Sequence, residues 1–236
     1  MTSELSQPAR PVSDRPEDHL APGTYIDSDH PAVREFARRA SEGTGDPIDA
    51  AIRLYRAVRD GVRYDPYRMD LSPDGLKASR CLETGYGFCV PKAALLAAAA
   101  RAIGIPARVG YADVRNHLTS ARLRATLGTD LFVFHGYTEL FLDGRWVKAT
   151  PAFNLSLCEK AGIRPIEFDG RSDSVMHPFD LSGRQHMEYV NDHGSFGDVP
   201  RERLIAAWTA VYPDVDQWSG SATPTGDFER EVDRPG

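Results

Sequence analysis

Apolar positions along the chain follow two periodicities, and each predicts its own element. In PIDAAIRLYRAVRDG, Ile48, Ala51, Ile52, Tyr55 and Val58 recur three and four residues apart, the spacing of one buried helical face. Asp46 with Pro47 opens that helix, and Asp29, His30 and Pro31 open another over PAVREFARRASEG, since a proline in the first turn has no intrahelical N–H to lose. Both are read as supports. CVPKAALLAAAARAIG is rich in Ala and Leu, hence strongly helix-forming, and Gly104 with Pro106 closes it. RERLIAAWTAVYPDV, after Asp198 and Pro200, is the last predicted helix, and SLCEKAGI a short one.

Alternation marks the strands. VRYDPY after Gly61 and IPARVGYADV each predict one, and FVFHGYTELFL and RWVKATPAF alternate on either side of Asp143-Gly144, a strong signal for a tight hairpin. A two-residue turn there sets Leu142 against Arg145; counting back sets Tyr137 against Thr150 and His135 against Ala152, with Thr150 diagonal to His135 on one face. MDLSPDGLKASRCLETGYG reads as a polar loop and NHLTSARLRATLGTD as a polar insertion. The long polar stretch from Pro165 to Pro200 reads as a lid or binding loop.

Residues 1–22 and 219–236 are rich in Pro, Ser and charge and poor in aliphatics, which predicts a disordered leader and tail around a single domain over 23–218. The 236 residues are 41% hydrophobic and 26% charged with a net charge of -6, an ordinary acidic globular chain without the basic stripe that nucleic acid requires. With no apolar run of membrane-spanning length and no apolar h-region near the start, a cytoplasmic protein without a membrane partner is expected. Its composition does not fix an oligomeric state.

Cys81, Cys89 and Cys158 are too few for a disulfide framework and lack zinc spacing. His177, Asp180, His186, Asp192 and His193 crowd the long polar stretch, but match no compact ligand motif and are read as solvated. No acidic loop suits calcium, so no metal and no cofactor is expected.

One cysteine stands out by position. Pro91 belongs in a helix's first turn, so Cys89 lies at the N-terminus of its helix, where unpaired backbone N–H groups and the positive end of the macrodipole favour thiolate. The preceding TGYGF is small and flexible, which lets a substrate approach the sulfur and places an amide for an oxyanion; Tyr86 and Gly87 are therefore candidate substrate contacts. His135, on the predicted strand, shares a face with Tyr137, a third candidate contact, and is the candidate base. Trp146, Phe153 and Trp208 are assigned to the core in preference to a cleft, and Arg115, Arg122 and Arg124 to a solvated surface.

YGFCVPKAALLAAAARAIGIPARV and FHGYTELFLDGRWVKATPAF, in that order, resemble the nucleophile helix and the His strand, turn and Trp strand of the transglutaminase-like superfamily. The resemblance covers roughly residues 50–154. It implies an α+β fold with a papain/transglutaminase-like core, N-terminal helices, and the nucleophile helix packed on an antiparallel sheet. It also implies that Cys89 is the nucleophile and His135 the base. The family's third residue, an Asp, falls here on Thr150, whose hydroxyl orients an imidazole without adding charge; Asn154 is a neutral alternative of the kind papain uses.

These residues imply a cysteine-dependent enzyme that attacks an amide or peptide carbonyl through a thioester. Water then makes it a peptidase or amidase, an amine an acyltransferase, on a peptide, protein or small amide substrate. Thr150 at the acid position also supports an alternative, a catalytically inactive module of the same fold that binds a peptide or protein.

Overall fold

The computed structural model describes residues 12–117, 120–212 and 228–231. Its centre is α4 (Cys89–Ala102), almost wholly buried. Alanine side chains hold neighbours at short range, so the sheet and three helices all reach it: α1 (Pro31–Ala40), α2 (Pro47–Gly61) and α3 (Ala78–Thr84). The predicted openings of the first two hold, with His30 accepting from the Ala32 N–H and Asp46 from the Ile48 N–H. Buried Lys92 of α4 donates to the carbonyls of Arg59 (2.9 Å) and Val62 (2.5 Å), which joins α4 to the C-terminal end of α2.

The main sheet consists of β3 (Ala107–Asn116), β4 (Leu131–Leu142), β5 (Arg145–Ala149) and β6 (Met187–Phe196), in the order β5-β4-β3-β6 and antiparallel throughout. Leu142 pairs with Arg145 as the hairpin predicts, and Asp143 (φ 49°) and Gly144 (φ 80°) take the two left-handed positions of a primed turn. β1 (Arg63–Tyr64) and β2 (Tyr86–Gly87) form a short parallel pair. The remaining helices are α5 (Ala121–Leu127), α6 (Leu155–Ala161), α7 (Arg201–Val211) and α8 (Phe228–Glu231). This is the expected α+β arrangement. Among the described residues no helix is long and apolar enough to cross a membrane.

Four expectations need correction. β5 ends at Ala149, and the Thr150 N–H turns to the Ser174 carbonyl (3.0 Å), so Thr150 and Ala152 pair with neither Tyr137 nor His135. The stretch read as one long loop holds β6, an edge strand whose residues Glu188 to Asp192 are exposed and carry no apolar alternation. The polar loop before the nucleophile contains α3, and the polar insertion contains α5.

The fourth concerns the ends. Residues 12–22 of the expected leader pack on the domain: His19 is buried, and Arg108 pairs with Asp14 (3.1 Å) as well as Glu139 (2.5 Å). Most of the expected tail lies outside the described residues, but Phe228 of α8 is buried, 5.8 Å centroid to centroid from Tyr64 and 5.7 Å from Tyr67.

Candidate active site

Phe88 is extended and Cys89 is the first residue of α4, so Pro91 falls inside the first turn, where it costs no hydrogen bond. The segment leading in is tied down by β1: the Arg63 N–H donates to the Gly85 carbonyl (2.9 Å) and the Asp65 N–H to the Gly87 carbonyl (3.1 Å). A side chain at Gly87 would put its Cβ 2.9 Å from Cys81 Sγ, so glycine here is a packing requirement.

β4 brings His135 to the same place. Thr138 Oγ1 donates to the Ala93 carbonyl (2.8 Å), pinning the strand to α4 one helical turn beyond Cys89. Gly136 makes the close approach possible, because a Cβ there would meet Val90 Cα at 3.2 Å and the Cys89 carbonyl oxygen at 3.3 Å. The β3–β4 register shifts between Ala112 and Val114, and within that bulge Phe134 takes a left-handed conformation (φ 55°). Asp113 holds it: one carboxylate oxygen accepts from the Phe134 N–H (3.0 Å) and lies 2.7 Å from His193 Nε2.

Cys89 and His135 line one cavity of about 30 Å³, close to the space of a water molecule or a short hydrocarbon fragment. Phe88, Phe132 and Val133, Leu123 and Leu127 of α5, and Tyr64, Pro66 and Met69 line it with them. Trp208 and Tyr212 complete the wall. Trp208 was assigned to the core by sequence; it serves both, while Trp146 and Phe153 are not in this wall.

Enclosure sets the electrostatics. Burial pushes the Cys89 thiol up to about 11, outweighing the backbone N–H groups of Gly136, Val90 and Cys89 that favour thiolate. A helix N-terminus alone predicts the opposite direction, and desolvation wins because the sulfur is buried among side chains. Burial likewise lowers His135 to about 4, opposed only by its own backbone carbonyl. His135 is therefore neutral at physiological pH. Its Nε2 is buried with no hydrogen-bond partner among the described residues, a costly condition unless a ligand completes it.

Neither candidate third residue hydrogen-bonds His135 among the described residues. The backbone carbonyl of Thr150 accepts from Tyr55 (3.1 Å), and its buried Oγ1 has no hydrogen bond to His135. Asn154 accepts from the Tyr64 N–H (3.1 Å) and donates to Ser156 (2.7 Å), so it fixes the chain behind a wall residue and does not orient the imidazole. Tyr86 lies under the Arg68 guanidinium (4.6 Å), and Tyr137 is buried against Gly110 with Lys148 over its ring (4.7 Å). Neither lines the cavity, nor does Gly87.

Sequence reasoning overlooked Asp113, His193 and Gly136. Only the last carried a signal: an isolated glycine beside a strand histidine marks a close backbone approach. His193 was grouped with loop residues, and its partner Asp113 is 80 residues away in sequence. Among the described residues no group of three or more His, Cys, Asp or Glu could hold a metal ion.

No curated protein matches the sequence. Among solved structures, the chain is similar to a "putative cysteine protease" from Cytophaga hutchinsonii, with a TM-score of 0.51 and 16% identity over 82% of this chain and 51% of that one. It thus spans about half the length of that protein, and the likeness is one of fold. A "putative protease" from Parabacteroides distasonis covers 56% of this chain and 26% of its own at 18% identity and a TM-score of 0.37, too low to carry an argument. The sequence pattern of the Transglutaminase-like superfamily matches residues 34–151, half of the chain and both arms of the site. The chain belongs to the transglutaminase-like superfamily.

Proposed function

We propose that this protein is a cysteine-dependent acyl-transfer enzyme acting on an amide or peptide carbonyl, with Cys89 as nucleophile and His135 as general base. The observation that carries the reading is the shared cavity: a thiol at a helix start, a buried imidazole with an unpaired Nε2, and three backbone N–H groups beside the sulfur.

Both groups are neutral at rest, so the proton moves as the thiol attacks. Sγ adds to the carbonyl carbon while His135 takes the thiol proton, and the backbone N–H groups near Cys89 receive the developing oxyanion. Collapse expels the amine with the proton from His135 and leaves a thioester on Cys89. Water or a second amine then attacks that thioester, again with His135 as base, and restores the thiol. Water gives a peptidase or amidase, and an amine gives an acyltransferase.

Among the described residues His135 has no charged partner, which favours a second reading, an inactive module that keeps the fold to bind a peptide or protein. Intact-mass spectrometry after mixing with an activated acyl ester separates the two. The enzyme acquires one acyl mass, localised to Cys89, released by hydroxylamine and lost in Cys89→Ala; His135→Ala slows its formation by about 100-fold or more. A wild-type protein that never gains the mass is the binding module.

A further inference from the structure

The walls of the cavity say what kind of group is admitted beside Cys89. Trp208 and Tyr212 carry polar atoms, but these face away: Trp208 Nε1 donates to the Val133 carbonyl (2.7 Å), and the Tyr212 hydroxyl accepts from the Val133 N–H (2.7 Å) and donates to the Leu131 carbonyl (3.1 Å). Leu123, Leu127 and Met69 add apolar surface. Among the described residues no charged side chain lines the space. A carboxylate or a primary amide pushed into it would lose its water and, beyond the Cys89–His135 groups that the reaction itself occupies, would meet an apolar wall.

We propose that this cavity is the acyl pocket, and that the preferred donor carries a small, uncharged, apolar acyl group of about acetyl size. The inference rests on the acyl-transfer reading and narrows it. The volume of about 30 Å³ sets the size, since it matches one water molecule or one methyl group and a longer chain would have to displace wall residues. A glutaminyl or succinyl donor would strand its terminal polar group against leucine and tryptophan. The step is unchanged: the C–S bond forms, the bond to the leaving group breaks, and the thiol proton passes through His135 to the leaving group.

The test is acylation of the full chain by p-nitrophenyl acetate, butyrate, hexanoate and hemisuccinate, following nitrophenolate release and the thioester mass on Cys89. Acetate should react fastest, butyrate more slowly, and hemisuccinate about 100-fold more slowly than acetate because its carboxylate is buried in an apolar wall. Leu127→Ala should move the optimum toward butyrate; because that variant removes a buried leucine, Met69→Ala, at a half-buried lining position, gives the same readout at less risk to folding. Equal rates for hemisuccinate and butyrate, or an unmoved optimum in a folded variant, overturn the apolar pocket and leave acyl transfer standing. Failure of every ester to acylate Cys89 overturns both.

Discussion

The ring of Phe134 lies over that of His193, with centroids 4.0 Å apart and planes inclined by 21°. The stack closes a small clamp around the residue before His135. A phenylalanine at φ 55° is rare and costs on the order of 1 kcal/mol, so the surroundings must hold it there. Asp113 does so from below by accepting the Phe134 N–H, and His193 from above, while its Nε2 rests on the same carboxylate. The bulge turns β4 so that its histidine meets the nucleophile helix.

Asp113→Ala should therefore act on the histidine from a distance. Losing the acceptor for a buried N–H should lower unfolding free energy by about 1–3 kcal/mol in urea titrations. The rate of Cys89 acylation should fall while its alkylation by iodoacetamide holds, because the thiol itself is untouched. Asp113→Asn keeps an oxygen for the Phe134 N–H and should recover most of the loss. Equal falls in both reactions would mean a general loosening and not a misplaced His135.

Gly136→Ala tests the close approach of β4 to α4. The new Cβ meets backbone atoms of Val90 and Cys89 at 3.2 and 3.3 Å, and backbone cannot swing away as a side chain tip can. Overpacking of this kind costs about 1–3 kcal/mol and should separate His135 from Cys89. A thermal melt together with an acylation assay checks it; unchanged values in both would show that the strand and helix have slack between them.

Much of this architecture was legible because local chemistry dictated it. Pro91 placed Cys89 at a helix start, Asp143-Gly144 fixed the hairpin and its register, and Asp46-Pro47 opened α2. What escaped depended on contacts distant in sequence. β6 lies at the sheet edge with its outer face in solvent, so its residues lack the apolar alternation of a strand. The clamp joins Asp113, Phe134 and His193 from three strands, and a left-handed phenylalanine leaves no mark in composition. Thiol acidity was misjudged for the same reason: the helix end is local, whereas the walls that desolvate the sulfur come from α5 and the Trp208–Tyr212 segment.

Lys92 offers a test of the junction behind the site. Its amine is fully buried, which lowers it to about 7, and donates to two carbonyls near the end of α2. Lys92→Met keeps the stem and deletes the donor, leaving both oxygens unpaired, which should cost about 2–5 kcal/mol in chemical denaturation. A loss below about 1 kcal/mol would mean that the α2 terminus finds other donors.

The enclosure of the site can be read from the pH dependence of stability. His135 has its folded value lowered to about 4 against an ordinary 6.5 in the unfolded chain. Between those values the unfolded state binds a proton that the folded state refuses, so stability is full above about pH 6.5 and falls as pH drops toward 4. The separation corresponds to roughly 3 kcal/mol at most. His186, also lowered to about 4 by burial, contributes in the same window and serves as the reference variant. Urea titrations from pH 7.5 to 4 on wild type, His135→Gln and His186→Gln should show a shallower decline in each variant, with the two effects adding because the residues do not touch. At the other end, the Cys89 thiol is held up to about 11, so its alkylation should be slow at pH 7 and keep rising well past the ordinary thiol range. A His135→Gln slope equal to wild type, together with alkylation that levels off near pH 8, would mean that water reaches both groups at rest, and the closed apolar cavity would not describe the protein in solution.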